Sequence, residues 1–500
     1  MNPIPRMVGP ATLLRFASPE FDRLERLVFR RYPRKEWASF ARFGWRETPE
    51  GLVVTLAALD EPVEGDLDDG VADVKISASY SRRIALAAER HALGVGIIHS
   101  HPEGAPPRPS SIDDEMDRYY AEYFADFAPG RPYLSLIMSE LAGDTGKEIA
   151  VSGRIFHGGI WREVTRVAAA RRPDVVAWPG GERPPAPPIP PERVARLTSA
   201  FGKEAYQRLQ RATVALIGAG GTGSAAIPIL ARAGVGRLIV VDSDHASESN
   251  LERLHGSVPQ DATDAVPKVT VARRHVAGMS PDVVVETWIG RLPQPEIIDA
   301  VIQADVLMGC TDQHTSRLAV SDIARRYAMP ALDTGGLIEG ANGVVTGQIV
   351  QLVRFLPEDP CPQCRGMINP TRFRQELMSA DEREAAKAEA EAAVARGERP
   401  DPIASAIPQI DTVGYITTTA GTLAAGFVIG WLTGRFDPKF ERLQLDLVAE
   451  CLGAVDRPQR RKGDCACGRV RGFADQAADT APFQPPAHWE PARKIVAEKV

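Results

Sequence analysis

The first third of the chain alternates short apolar runs with longer stretches that mix apolar and polar residues. Apolar runs at 52–59, 95–98 and 134–138 have the length of β-strands, and helix-like patterns cover 82–91 and 112–127. Strands and helices of comparable length in alternation are typical of mixed α/β domains. The pattern therefore predicts a mixed α/β domain in this part of the chain.

A more regular alternation follows in the second half. Apolar strands are predicted at 214–217, 238–241, 283–286 and 306–308, with helical stretches between them. Because parallel strands need such crossovers, this region is predicted to form a doubly wound, Rossmann-like sheet. Residues 378–398 are mostly Ala, Glu, Lys and Arg, a composition that predicts an inserted surface helix with little buried area.

Proline marks the boundary between the two regions. The stretch from 171 to 192 is rich in proline and contains two adjacent glycines, a composition that favours an extended linker. The predicted division is a first domain at 1–170, the linker at 171–192, a second domain at 193–475 and a tail at 476–500.

Composition narrows the possible partners and location. A net charge of −6 and a pI near 5.9 give no basic excess for nucleic acid. No signal-peptide pattern and no apolar run of about 18 residues are recognised, so we expect a cytoplasmic protein with no membrane partner. Four of the six cysteines fall in two close pairs, which indicates metal binding in a reducing compartment.

The first chemical motif follows the apolar run at 95–98. His99 and His101 are two residues apart on one strand edge and therefore face the same side. With Asp113 they would form a three-ligand zinc site that leaves a position for water, as catalytic zinc requires. Asp114 is an alternative third ligand. Zinc-bound water also needs a base, for which Glu36 is the candidate.

His-x-His-Pro followed by Pro-Ser-x-x-Asp resembles the JAB/MPN (JAMM) metalloproteases over about residues 15–160. Members of that family cleave peptide or isopeptide bonds after the C terminus of ubiquitin or related proteins. The resemblance implies Glu36 as general base and Ser110 as the oxyanion-stabilising serine. The family's glycine-rich strand is replaced by 40–44, so Glu47 and Glu50 remain alternatives to Glu36. A structural histidine pair and a helix cap are the alternative interpretation of the motif.

The second chemical motif is a glycine-rich turn after the strand at 214–217. Such a turn at a helix start offers backbone N–H groups to phosphates, and a strand-end acid about 20 residues later accepts hydrogen bonds from ribose. An NAD-dependent oxidoreductase is still possible at this point. The candidate nucleotide-binding residues here are Gly218, Gly220, Gly221, Gly223 and Asp242.

The polar residues that follow favour adenylation, because charge builds up on the α-phosphate and the pyrophosphate. Arg253 and Lys268 suit neutralisation of that charge, and Asp312 suits Mg²⁺ binding. The ordered series resembles the ThiF/MoeB/ubiquitin-activating superfamily over about 193–434. That resemblance implies ATP as cofactor, with Asp244 and Asn250 also in the nucleotide site. It also implies that Arg196 reaches the ATP of a partner subunit, and hence a homodimer.

The cysteine pairs predict a second, structural zinc site in each chain. Its four ligands would be Cys361, Cys364, Cys465 and Cys467. No cysteine lies between 365 and 450, where ubiquitin-type activators carry a thioester-forming cysteine, and neither Cys310 nor Cys451 matches that position. The enzyme either stops at the acyl-adenylate or uses a hydroxyl, for which Ser405 is a speculative nucleophile.

Together the motifs predict a bifunctional enzyme of a bacterial ubiquitin-like conjugation system. One half adenylates the C-terminal glycine of a ubiquitin-like protein, and the other cleaves the same protein from precursors or targets. A conjugating enzyme or a sulfur-accepting protein is the expected further partner, and antiviral defence the expected setting. The alternatives are sulfur-carrier activation for cofactor synthesis, a recognition module with one inactive half, and a dehydrogenase.

Overall fold

The computed structural model describes ten segments of the chain, which together form two sheets with helices packed against them. The predicted fold class, a mixed α/β domain followed by a doubly wound sheet, is confirmed. The described residues are 11–30, 35–68, 74–90, 92–102, 104–143, 146–190, 192–404, 412–454, 461–477 and 480–495.

The first domain is built on an eight-stranded sheet in the order β10-β8-β7-β6-β2-β3-β1-β9. Strand β8 also pairs with β9, so the sheet closes on itself. Its elements are β1 (Ala11–Phe16), α1 (Ser18–Val28), β2 (Ala38–Thr48), β3 (Gly51–Asp60), β4 (Leu67–Asp68), β5 (Lys75–Ile76), α2 (Ala78–Glu89), β6 (Gly94–Ser100), α3 (Ser111–Phe127), β7 (Tyr133–Gly143), β8 (Gly146–His157), β9 (Ile160–Ala169) and β10 (Val175–Ala177).

Strand β1 is parallel to both of its neighbours and lies between β3 and β9.

Helices α2 and α3 cover an aromatic cluster of the first sheet that is centred on Phe40. Its ring makes edge-to-face contacts with Tyr80, Tyr120 and Phe124 at centroid distances of 4.8, 5.7 and 5.5 Å. This packing fixes α3 beside the end of β6.

The second domain has a nine-stranded sheet in the order β18-β17-β16-β15-β14-β11-β12-β13-β19. Strands β14, β11, β12 and β13 run parallel, as the alternation predicts. The elements are α4 (Ala195–Phe201), α5 (Lys203–Arg211), β11 (Thr213–Ile217), α6 (Gly221–Ala233), β12 (Arg237–Asp242), α7 (Pro259–Thr263), α8 (Lys268–Met279), β13 (Val284–Ile289), α9 (Pro295–Val301), β14 (Val306–Gly309), α10 (His314–Arg326), β15 (Ala331–Ala341), β16 (Val344–Phe355), α11 (Pro370–Leu377), α12 (Ala380–Ala395), α13 (Gly414–Thr433), β17 (Arg442–Asp446), β18 (Cys451–Ala454) and β19 (Arg493–Ile495).

Two helices of the second domain differ in how much of their surface is buried. Helix α12 lies where the surface helix is predicted and buries only Ala393. Helix α13 is long and apolar enough to cross a membrane, so the expectation of no such run was wrong for this segment. Most of α13 is buried against α6, β15 and β16 because its small and apolar residues fill the core. Helix α13 is therefore a core helix of the second domain.

Two stretches expected to lie outside the domains contribute strands. Val175–Ala177, within the predicted linker, pairs with β8, because this apolar run between two prolines can form a strand while the prolines stay at its ends. Arg493–Ile495, within the predicted tail, pairs antiparallel with β13 and covers the edge of the second sheet.

The two domains share an extensive interface. Leu13 and Val53 of the first domain belong to the same buried cluster as the α9 and α10 side chains of the second. Arg46 donates to Asp299 and to Asp475, each at 2.7 Å. The domains are therefore joined by apolar contacts as well as by ion pairs.

Candidate functional sites

The end of β6 and the start of α3 bring together the three predicted ligands of the first metal site. His99 Nε2 lies 3.3 Å from Asp113 Oδ1, and the rings of His99 and His101 are 5.5 Å apart. One ligand atom from each of the three residues lies within 4.8 Å of the other two. Two imidazoles and a carboxylate at this spacing fit a catalytic zinc ion.

Electrostatics and hydrogen bonds orient these ligands. Burial lowers the pKa of His99, but the adjacent Asp113 carboxylate outweighs burial and the pKa is raised. Burial lowers the pKa of His101, which favours the neutral imidazole that binds metals. His101 Nδ1 is 3.1 Å from the carbonyl oxygen of Pro106. If Nδ1 donates there, Nε2 is left for a metal.

The structure separates the two adjacent aspartates. Asp114 forms an ion pair with Arg154 and faces away from the histidines, whereas Asp113 faces them. Ser110 is the N-cap of α3, and its hydroxyl donates to Asp113 Oδ2 at 2.7 Å. The helix-cap interpretation of Ser110 is thus realised, and the same cap holds Asp113 in position.

The register of β2 brings Glu36 to the metal site and keeps its alternatives away. Ala38 lies opposite His99, and after burial and Asp113 the carboxylate of Glu36 also raises the pKa of His99. Glu47 instead lies 3.3 Å from His157, and Glu50 pairs with Arg237 of the second domain. Among the three candidates, Glu36 is the one whose charge acts on a metal ligand.

Behind the ligands lies a buried polar network that the sequence did not reveal. Asp117 is 3% exposed and accepts hydrogen bonds from Arg154 and from the Tyr133 hydroxyl. Burial raises its pKa, and Arg154 opposes that shift. Asp117 lies one helical turn after Asp113 on the same face of α3, which is the signal that could have indicated it. The network anchors the helix that carries Asp113.

A cavity of about 670 Å³ opens where β11, β12 and β14 end. The glycine turn forms one wall, with Gly218 at a φ of +101° that favours glycine. A β-carbon on Gly223 would overlap the carbonyl oxygen of Gly218. Gly223 therefore allows α6 to start close to β11, and Gly220 and Gly221 line the cavity itself.

Acidic and basic side chains surround the cavity. The Asp242 carboxylate accepts hydrogen bonds from the backbone N–H groups of Ala219 (2.6 Å) and Asp244 (2.8 Å), and burial raises its pKa. Lys268 Nζ lies 2.9 Å from Asp244 Oδ2. Arg253 Nη1 donates to the Ser249 carbonyl at 3.0 Å. Both cations line the cavity, as does Asp312.

Three predicted nucleotide-site residues lie outside the lining, namely Gly223, described above, Asn250 and Arg196. Asn250 is in a short turn and accepts backbone hydrogen bonds from Arg253 and Leu254, so it shapes the segment that carries Arg253. Arg196 is an exposed residue of α4, away from this cavity. Its predicted role in a partner subunit stays a prediction.

The sequence also missed basic residues of the cavity. Arg372 of α11 donates to both the carbonyl and the carboxylate of Asp312, each at 3.2 Å. Arg317 pairs with Asp333 at 2.7 Å. Glu376 accepts from the first backbone N–H groups of α10 and so caps that helix from α11. These residues come from elements far apart in sequence.

The four paired cysteines converge between β16 and the segment after β18. Cys361 Sγ is 3.7 Å from Cys465 Sγ, and Cys364 Sγ is 3.9 Å from Cys467 Sγ. Four sulfurs about 2.3 Å from a common centre at tetrahedral angles lie roughly 3.8 Å apart. All four sulfurs lie within 4.8 Å of one another. The cluster is therefore compatible with structural zinc despite the Cys-x-Cys spacing.

A model of the ThiF family matches residues 193–467, more than half of the chain. The chain belongs to the ThiF family. A model of the prokaryotic homologs of the JAB domain matches residues 43–146. Both resemblances seen in the sequence are therefore confirmed: a JAB domain precedes the ThiF domain.

Relatives of the ThiF domain include the SAMP-activating enzyme E1 of Haloferax volcanii, 35% identical over 33% of this chain and 56% of that protein. The adenylyltransferase and sulfurtransferase UBA4 of Candida glabrata is 30% identical over 33% of this chain and 36% of its own. The chain thus spans about half the length of the first relative and about a third of the length of the second. Among solved structures, E. coli MccB with ATP matches at 17% identity and a TM-score of 0.41, over 55% of this chain and 74% of that one.

The candidate nucleophiles of the ThiF domain have different surroundings. Cys310 lines the nucleotide cavity, and burial raises the pKa of its thiol well above the usual range, which disfavours the nucleophilic thiolate. Cys451 is exposed on β18. Ser405 lies outside the described residues.

Proposed function

We propose that the chain is a bifunctional enzyme that adenylates the C-terminal glycine of a ubiquitin-like protein and cleaves bonds after the same protein. The observation that carries the proposal is the cavity in the ThiF domain, where the glycine turn, Asp242, Arg253, Lys268 and Asp312 meet. The donor set at His99 in the JAB domain supports the second activity.

In the adenylation step, a carboxylate oxygen of the ubiquitin-like protein attacks the α-phosphorus of ATP and pyrophosphate leaves. The turn N–H groups hold the phosphates, and Asp242 binds the ribose. Arg253 and Lys268 neutralise the charge that develops on the leaving pyrophosphate. Asp312 and Asp244 are the carboxylates that would hold Mg²⁺, which supplies further charge neutralisation when bound.

Two ion pairs must rearrange before this chemistry. Lys268 is held by Asp244 and Asp312 by Arg372. ATP binding would offer phosphate to both cations and free both carboxylates. The proposal therefore requires both ion pairs to exchange partners when ATP binds.

In the cleavage step, the oxygen of water bonds to the scissile carbonyl carbon and the C–N bond breaks, while Glu36 takes a proton from that water and passes it to the leaving amine. His99, His101 and Asp113 would hold zinc, which when bound would acidify that water and polarise the scissile carbonyl. The exposed Ser110 hydroxyl is the proposed oxyanion donor; its single proton, which it donates to Asp113 Oδ2 in this structure, would turn to the oxyanion.

The partner assignment rests on the family and on relatives with related names. One relative is a SAMP-activating E1 and another is an adenylyltransferase and sulfurtransferase. The second name, and the lack of cysteine from 365 to 450, favour sulfur-carrier activation as the second candidate function. A homodimer through Arg196, transfer to a conjugating enzyme or a sulfur acceptor, the domain boundaries and a cytoplasmic location remain predictions.

ATP–pyrophosphate exchange with candidate ubiquitin-like proteins tests the first activity. We expect exchange in the wild type and in His101→Ala, and its loss in Arg253→Ala and Asp312→Ala. Absence of exchange with every candidate that ends in a free glycine would refute adenylation.

Cleavage of a ubiquitin-like protein fused to a reporter tests the second activity. We expect Glu36→Gln to abolish zinc-dependent cleavage and Glu47→Gln to retain it, because the Glu36 charge acts on His99 whereas Glu47 pairs with His157. Equal loss in both variants would contradict the assignment of Glu36.

A further inference from the structure

A second cavity, of about 420 Å³, lies at the interface between the JAB and ThiF domains. Strands β9 and β10 of the first domain line it together with α5 and the end of α13 of the second. Its walls are partly apolar, with Val167, Val175, Trp431 and Leu432 among the lining residues. The volume is within the range of small-molecule sites.

Arg15 on β1 lines this cavity and is fully buried. Its Nη2 donates to the carbonyl oxygens of Ile302, at 2.9 Å, and of Ala304. Its Nε and Nη1 have no hydrogen-bond partner among the residues that the structure describes. Burial lowers the pKa of Arg15 to about 10. Unpaired N–H groups on a buried guanidinium are costly, so this side chain lacks an acceptor.

The other charged groups at the cavity do not supply the missing acceptor for Arg15. Asp305 is the carboxylate that acts on Arg15, but it already pairs with Arg166 at 3.4 Å. Arg211, at the exposed rim, donates to the carbonyl oxygen of Pro185. Within the described parts of the chain, no carboxylate lies within ion-pair distance of Arg15 or Arg211. Two cations of one cavity therefore have no acidic partner.

We propose that this interdomain cavity binds an organic anion, with a phosphate or carboxylate head on Arg15 and an apolar body against Val167 and Trp431. Arg211 guides the head from the rim. The ligand would touch both domains at once and so stabilise their association. None of the residues assigned to adenylation or cleavage lines this cavity, so the ligand site is independent of the proposed function.

Isothermal titration of the full chain with three matched probes tests the site. The probes are 1-naphthyl phosphate, 1-naphthoate and the neutral 1-naphthol. We expect saturable binding of at least one anion and none of 1-naphthol at the same concentration. The preferred head group separates a phosphate ligand from a carboxylate ligand.

Variants locate the binding. Because a charge-assisted hydrogen bond is lost, Arg15→Gln should weaken the anion about tenfold or more. Arg211→Gln, at an exposed position, should weaken it several-fold without the risk of unfolding. Arg253→Ala, in the nucleotide cavity, should bind the probe as the wild type does. Unchanged affinity in both cavity variants, loss of binding in Arg253→Ala, or equal binding of 1-naphthol would each overturn the proposal.

Discussion

Replacement of Arg154 by methionine tests the buried network behind the metal site. Asp117, 3% exposed, and Asp114 both depend on this guanidinium, whose side chain is itself 15% exposed. Removal of one partner from a buried pair costs about 3–5 kcal/mol, because the remaining charge is left without compensation. Since Arg154 is slightly accessible, we expect Arg154→Met to cost about 3 kcal/mol, near the lower end of that range.

Arg23 provides a matched control in the same domain. It pairs with Glu61 on the surface and is 60% exposed, so Arg23→Met should cost less than about 1 kcal/mol. Combined with Arg154→Met, the substitution Asp117→Asn removes the uncompensated charge. The double variant should therefore regain at least half of the stability that Arg154→Met loses. Urea unfolding measures these free energies, and hydrogen exchange in α3 and β7 assigns the transition to the first domain.

The stability of Arg154→Met has a predicted pH dependence. Burial already raises the pKa of Asp117, and loss of Arg154 raises it further. A carboxyl whose folded pKa exceeds its unfolded value, near 3.9, loses stability as pH rises from the unfolded towards the folded pKa. The deficit of Arg154→Met should therefore be larger at pH 8 than at pH 5. A deficit no larger than that of Arg23→Met, or independent of pH, would refute the reasoning.

Three further predictions concern the metal sites and the glycine turn. Asp113→Asn should lower bound zinc by about one ion per chain, whereas Asp114→Asn should leave the zinc content unchanged. Metal analysis of the two purified variants measures this difference. Equal loss of zinc in both variants would contradict the assignment of Asp113 as the ligand. Cys361→Ser should remove the other zinc ion and lower the unfolding temperature; unchanged metal content would show that the thiols are free. Gly223→Ala should cost about 1–3 kcal/mol through overlap, whereas Gly220→Ala, with open space around it, should fold normally; thermal unfolding compares the two.

Much of the site chemistry could be predicted because it is local in sequence. His99 and Asp242 sit at the ends of apolar strands, and side chains at the ends of neighbouring strands meet at one edge of a sheet. The capping box at Ser110 is also a short-range pattern. These signals need no knowledge of tertiary structure.

The missed residues depend on contacts between distant segments. Arg154 lies 37 residues from Asp117 and on another element, and Arg372 lies 60 residues from Asp312. Nothing local marks an arginine as the partner of a particular carboxylate. The first-domain strands β8 and β9 were missed for a similar reason, since their mixed patterns become strands through pairing with each other and with β1.

Proline content misled the boundary prediction in one place. The prolines at 184–190 lie in a segment without helix or strand, but Val175–Ala177 is an apolar, largely β-branched run that pairs with the first sheet. The sequence analysis also overlooked α13 as an apolar run of membrane-spanning length, and the fold buries most of this helix in the core. Composition identifies candidates, and packing decides between them.

Strand β1 has a consequence for the order in which the molecule assembles. Hairpins such as β7–β8–β9 join residues close in sequence, whereas Thr12 must find Val164 about 150 residues away, at a larger loop-closure cost. β1 should therefore be a late strand, and its insertion completes the ring of the first sheet. Arg15 travels with it and then reaches the carbonyl oxygens after α9. Completion of one domain thus creates the docking element for the other, so folding and domain association become successive steps of one process.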